Sequence, residues 1–194
     1  VRLNSKPEEN PIMQPFPYVL LTAVVGGLTV TAIRSQRASL KLSKRSWNEL
    51  VSGIQFIDFR GVSLVARDYL DPRRGQIDLE PEEIWNLLGG DEGLRTMLVN
   101  ADRLIALAAF AQQWNLDESV IVAERMRRDG LRLRKAVRRV QMGMLSQIFT
   151  GRHWVEVPFQ LQEAASAYYL MRQRLLALYE TSHIGLYPQL AKAV

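Results

Sequence analysis

The side chains best placed to do chemistry lie between Arg125 and Arg139. Arg125, Arg127, Arg128, Arg132, Arg134, Lys135, Arg138 and Arg139 face a single acid in that stretch, Asp129. On a helix, Arg125, Arg128, Arg132, Lys135 and Arg139 recur at alternating spacings of three and four, so they share one face. The chemistry of such a face is anion binding. Lipid headgroups would attract it by about 1 kcal/mol per cation near a membrane surface. An acidic protein or a nucleic-acid backbone would use the same charge. The same residues also suit a solvated face, partly neutralised by the acidic stretch Asp78–Glu92, because exposed ion pairs contribute little energy. No aromatic side chain is interleaved with the run, which argues against base stacking and makes nucleic acid an unlikely partner.

Catalytic chemistry has little to build on. The chain has no cysteine, which excludes disulfides, thiolate metal sites and cysteine nucleophiles. His153 and His183 are its two histidines, and they are not spaced as in H-E-x-x-H. There is no G-x-G-x-x-G, no G-K-[ST] and no G-x-S-x-G. The expectation is therefore a non-catalytic protein with no cofactor and no metal. Tyr168, Tyr169 and Tyr179 suit partly buried structural positions, with an interface as the alternative.

The element that gives the chain its organisation is Phe16–Ile33, 18 residues without a charge. As a helix it would be about 27 Å long at ~1.5 Å per residue. That approaches the thickness of a hydrocarbon core of about 30 Å, so the run reads as a transmembrane helix. A buried core helix is the competing reading, because three Thr and two Gly make the run less apolar than a leucine-rich span. Ala23, Gly27 and Thr31 are four residues apart. Small residues at that spacing let a partner helix pack closely in lipid.

A basic border follows, with Arg34, Arg37, Lys41, Lys44 and Arg45 and no acid. The net charge of the chain is +5, and outside this border twenty basic residues balance twenty acidic ones. The charge excess thus belongs to the border, and by the positive-inside rule it places the C-terminal side in the cytoplasm. Residues 1–15 are polar and proline-rich, an extended lead-in that would lie outside.

Residues 46–194 read as a helical domain. Hydrophobic residues form 47% of the chain, enough to bury a core. Ser46 and Glu49 predict a capping box. Leu50, Ile54, Ile57, Gly61 and Leu64 then follow at helical spacing, with a hairpin over 54–66 as the alternative. A loop is expected at 71–75, and a short helix runs from Pro81 to Leu88, stopped by Gly89-Gly90. A central helix is expected over Gly93–Trp114, with Leu94, Leu98, Ala101, Ile105, Ala108 and Ala111 on one face. The longest helix is expected over Leu116–Phe149, with Val122, Met126, Leu133, Val137, Val140, Met144 and Ile148 as its apolar stripe. A last helix runs from Pro158 to about His183, followed by an apolar tail that must dock on its own domain or on a neighbour.

These readings combine into an all-α chain: one N-terminal transmembrane helix followed by a bundle of about four to five helices. The expected function is that of a single-pass, membrane-anchored interaction or accessory subunit of a membrane complex. Its partners would be membrane lipid and other proteins of that complex. It would sit in the cytoplasmic (inner) membrane, with the N-terminus outside and the helical domain in the cytoplasm. The alternative is a soluble helical module that binds an anionic partner, nucleic acid or acidic protein, through its basic helix face.

Overall fold

Ser46 and Glu49 start the first helix as their types dictate. The Ser46 N–H donates to Glu49 Oε2 at 3.2 Å, and the Glu49 N–H donates to Ser46 Oγ at 3.4 Å. The structure, a computed structural model, describes residues 45–71, 79–114, 116–150 and 157–194, without the side chains of 116 and 145–150. The expected lead-in, the span Phe16–Ile33 with Ala23, Gly27 and Thr31, and the border residues Arg34, Arg37, Lys41 and Lys44 lie outside the described residues. So does His153. Arg45 is described and exposed.

The described residues are helical and contain no strand. In order they form α1 (Trp47–Ser52), α2 (Phe59–Leu70), α3 (Pro81–Leu87), α4 (Gly90–Phe110), α5 (Leu116–Thr150), α6 (Val157–Ser182) and α7 (Tyr187–Ala193). A short 3-10 turn, Ala111–Gln113, extends α4. The all-α expectation holds here, with more helices than expected because the first expected helix is split in two and the C-terminal tail forms one of its own. No helix among the described residues is long and apolar enough to cross a membrane.

Three long helices make the core. Asp102 of α4 meets Arg134 of α5, and Asp91 meets Gln141 further back, so these two helices run antiparallel. Asp129 of α5 meets Arg174 of α6, and Arg139 meets Gln160, which makes that pair antiparallel as well. Leu94, Met97, Leu104 and Leu107 of α4, Met126, Leu133, Val137 and Val140 of α5, and Leu161, Met171, Leu175 and Leu178 of α6 are all buried between the layers. Helix α2 lies along α6, with Phe59 stacked on Tyr169 and Tyr69 edge-on to Phe159.

Residues 50–64 form neither the continuous helix nor the hairpin expected from spacing. Gly53 caps α1 at Ser52, and 54–58 forms neither helix nor strand. Asp58 then restarts the chain as α2, its carboxylate accepting from the Arg60 N–H at 3.0 Å. What holds this segment is a side chain from α4. The Gln55 N–H donates to Asn100 Oδ1 at 2.9 Å, and Asn100 Nδ2 donates to the Gln55 carbonyl at 2.8 Å. The Asn100 amide thereby does for Gln55 what a neighbouring strand would do, and it also donates to the buried Tyr168 hydroxyl at 3.3 Å. The three hydrogen bonds fix one loop conformation on the core, because each buried polar group finds a partner.

The α3–α4 junction follows its glycines. Gly89 and Gly90 have φ of +75° and +62°, a left-handed conformation that side-chain-bearing residues avoid. Gly61 of α2 serves another purpose: a Cβ there would overlap the Leu87 carbonyl at the end of α3, so its absence lets the two helices touch. The apolar tail docks on its own domain. It forms α7, buries Leu190, and its Val194 carbonyl accepts from Arg172 Nε at 3.0 Å.

Candidate functional site

The cations of α5 stand on the outside of the three-helix core. Arg125, Arg128, Arg132, Lys135 and Arg139, the face read from spacing, are all exposed, and so are Arg127, Arg134 and Arg138. Helical geometry divides them into two rows. Arg125, Arg128, Arg132, Lys135 and Arg139 line the side toward α6, and Arg127, Arg134 and Arg138 the side toward α4. The crest between the rows carries Leu131 and Met142, which are 62% and 58% exposed. The second row and the apolar crest went unread in the sequence because only one helical row was counted.

The neighbouring helices pin both edges. On the α4 side, Arg134 pairs with Asp102. On the α6 side, Arg139 donates to Gln160 Oε1 at 3.2 Å and lies 3.9 Å from Glu163. Glu124, the residue immediately before the run, pairs with Arg127 at 3.7 Å and with Arg128 at 3.2 Å. Among the described residues no carboxylate lies within ion-pair distance of Lys135 or Arg138.

These partners differ from the ones expected. Among the described residues of the acidic stretch, Asp91 accepts from Gln141 of α5 and pairs with Arg95 of its own helix at 2.7 Å. Cations of the face pair instead with Asp102 of α4, Glu124 of α5 and Glu163 of α6.

Asp129, the one acid within the run, faces inward. It is 4% exposed, pairs with Arg174 of α6, and lies 4.0 Å from Arg132. Its charge is spent beneath the surface, so from Arg125 to Met144 α5 presents no exposed acid of its own. Burial, with the like charge of Arg125 adding to it, lowers the Arg174 guanidinium below its ordinary value, and Asp129 is the acid it pairs with. At the α4 edge, burial raises the Asp102 carboxyl above its ordinary 3.8, and Arg134 only partly offsets that. The contribution of the Asp102 carboxyl to stability therefore falls as pH rises from 3.8 through its raised folded value, since it binds its proton more tightly in the folded chain than in the unfolded one.

Nothing comparable gathers around the other sequence candidates. Tyr168 and Tyr179 are fully buried; Tyr179 donates to the Leu107 carbonyl at 2.9 Å, and burial pushes its phenol well above the ordinary value. Tyr169 packs on Phe59, and the Arg172 guanidinium also lies over the Phe59 ring, 3.8 Å from its centroid. His183 packs against Trp114 with ring centroids 4.6 Å apart. Glu180 and His183 do have the Glu-x-x-His spacing found in carboxylate-bridged metal bundles, but Glu180 is exposed and stands apart from other ligands. Among the described residues no group of three or more His, Asp or Glu side chains is arranged to hold a metal ion.

Comparison with family models, with curated proteins and with solved structures finds no match for this chain. The functional reading accordingly rests on the basic face and on the sequence that precedes it.

Proposed function

We propose that this protein is a non-catalytic, single-pass membrane-anchored subunit, whose helical unit serves as an interaction module within a membrane complex. The observation that carries the reading is the charge-free run Phe16–Ile33 followed at once by Arg34, Arg37, Lys41, Lys44 and Arg45 with no acid among them. An apolar stretch of spanning length with a basic border is the signature of an anchor with a cytoplasmic C-terminal side. The Ala23–Gly27–Thr31 spacing supplies the contact surface in lipid, and the outward face of α5 supplies a second one in water.

The accessory role has a direct test. Full-length chain captured from mild detergent should bring partner subunits with it. Gly27→Leu, which fills the small-residue face without adding charge, should remove those partners while the chain stays in the detergent fraction. Recovery of the wild-type chain as a monomer without any detergent would defeat the proposal. The second reading, a soluble helical module that binds an anionic partner, is favoured by one observation: the eight exposed cations of α5 lie within the described unit and do not depend on the anchor.

A further inference from the structure

We infer that the outward face of α5 docks flat on an anionic phospholipid surface, with Leu131 and Met142 at the level of the headgroup boundary. The inference deepens the membrane reading above and rests on it for the source of the lipid, but its geometry comes entirely from the described helix.

Three features select lipid over an acidic protein. The first is uniformity of sign. From Arg125 to Arg139, about 21 Å of helix at ~1.5 Å per residue, every exposed charge that α5 carries is positive, because Asp129 is turned inward to Arg174, and the exposed Glu124 stands at the N-terminal end of this stretch, paired with Arg127 and Arg128. Protein interfaces gain register from charges of both signs, whereas a headgroup layer offers one sign without register. The second is the crest. Leu131 stands in the middle of the charged surface with cations on both flanks, and Met142 continues its line one turn past Arg138 and Arg139; both are more exposed than a packed helix requires. That arrangement is what an interfacial helix uses: an apolar line seated at the headgroup and acyl boundary, and long basic side chains reaching sideways to phosphates. The third is shape. Arg134 and Arg139 are tied to Asp102 and to Gln160 and Glu163 at the two edges, which holds the cations in a broad, low surface instead of a cleft. The absence of aromatic side chains on the described part of this face removes the stacking that single-stranded nucleic acid would need.

The chain has no cysteine, so a single Leu131→Cys substitution on this exposed position gives a clean site for an environment-sensitive fluorophore. Labelled full-length chain is reconstituted into vesicles of phosphatidylcholine alone, or of phosphatidylcholine with about one third phosphatidylglycerol. The inference predicts blue-shifted, quencher-protected emission in the anionic vesicles and water-like emission in the neutral ones. Raising the salt, which shortens the screening length to about 3 Å at 1 M, should return the anionic sample to the water-like spectrum. Arg128→Glu, Lys135→Glu and Arg138→Glu together should do the same. These three are exposed side chains with no tie to a buried group, and unchanged helical circular dichroism shows that the fold is kept.

Identical water-like emission in both vesicle types would overturn the inference and leave the face to an acidic protein or to solvent. A blue shift that survives the triple reversal would overturn it as well, because the attraction would then not be electrostatic. Anchoring is read separately, from co-flotation with the neutral vesicles. If co-flotation fails there, the anchor is contradicted and the docking face is still scored from the anionic sample.

Discussion

Asn100→Leu is expected to destabilise the helical unit by about 3 kcal/mol, read as a fall in the denaturant midpoint with an unchanged slope. Leucine has nearly the shape of asparagine, so the substitution removes hydrogen bonds without opening a cavity. What it leaves behind decides the magnitude. The Gln55 N–H and carbonyl lose partners at 2.9 and 2.8 Å, and the buried Tyr168 hydroxyl loses its donor at 3.3 Å. The orphaned Tyr168 hydroxyl, which is buried, costs about 1–3 kcal/mol, and the two part-buried bonds to Gln55 contribute about 1 kcal/mol each. Tyr168 is the more deeply buried, and burial already holds its phenol above the ordinary value. The double variant Asn100→Leu/Tyr168→Phe should therefore be less unstable than the sum of its singles, because it removes the orphaned hydroxyl along with its partner. Additive losses would show that Asn100 acts on the loop alone. A single-variant loss below about 0.5 kcal/mol would show that the segment 54–58 holds without it.

Asp129→Asn should cost a similar amount, about 3 kcal/mol, toward the lower end for a broken buried pair because Arg174 keeps about a third of its side chain in solvent. The loss arises in α6 and not in the variant residue. Arg174, whose charge is already disfavoured by burial and by Arg125, loses the acid it pairs with. Replacing the pair together, Asp129→Leu with Arg174→Met, should restore most of the stability, since apolar side chains of similar volume carry no charge to desolvate. Thermal unfolding of the three variants at neutral pH tests this. A double variant no more stable than Asp129→Asn would mean that the pair is needed for more than mutual neutralisation.

Both residues were within reach of the sequence, for the same reason that they were missed. Asp129 falls in the stripe of Val122, Met126, Leu133 and Val137 at spacings of three and four, and Asn100 sits between Met97 and Leu104 in the same way. A polar residue in register with an apolar stripe signals a buried partner. Counting apolar positions alone passes over it. The long elements were legible because their periodicity is strong over many turns: α5 was expected over Leu116–Phe149 and runs to Thr150, and α6 was expected from Pro158 and starts at Val157. The capping box of Ser46 and Glu49 was legible because it is local. Residues 50–64 were not, because their conformation depends on Asn100, 45 positions away from Gln55. Periodicity within the segment carries no trace of that contact.

The candidate face was half legible. One row of cations follows from spacing alone, and all five of its members are exposed as expected. The other half needed the packing, because whether Leu131 belongs to a core or to a crest depends on which side of α5 the neighbouring helices cover. Leu131 and Leu133 are equally apolar in sequence, yet Leu133 is fully buried and Leu131 is not. The sign of the face also depended on packing, since one inward acid changes a mixed run into a uniformly positive surface. The anchor reading draws on the charge pattern of residues 16–45 and gains a consistent partner in this surface, as both carry the sign that an anionic leaflet attracts.

Alkaline carbonate extraction of membranes that contain the full-length chain tests the central claim most directly. Carbonate strips proteins held by charge and leaves those held by a spanning helix. The account predicts that the chain stays in the membrane pellet at alkaline pH and high salt and is released only by detergent, whether or not the α5 cations are reversed. Release of the intact chain into the carbonate supernatant would contradict it.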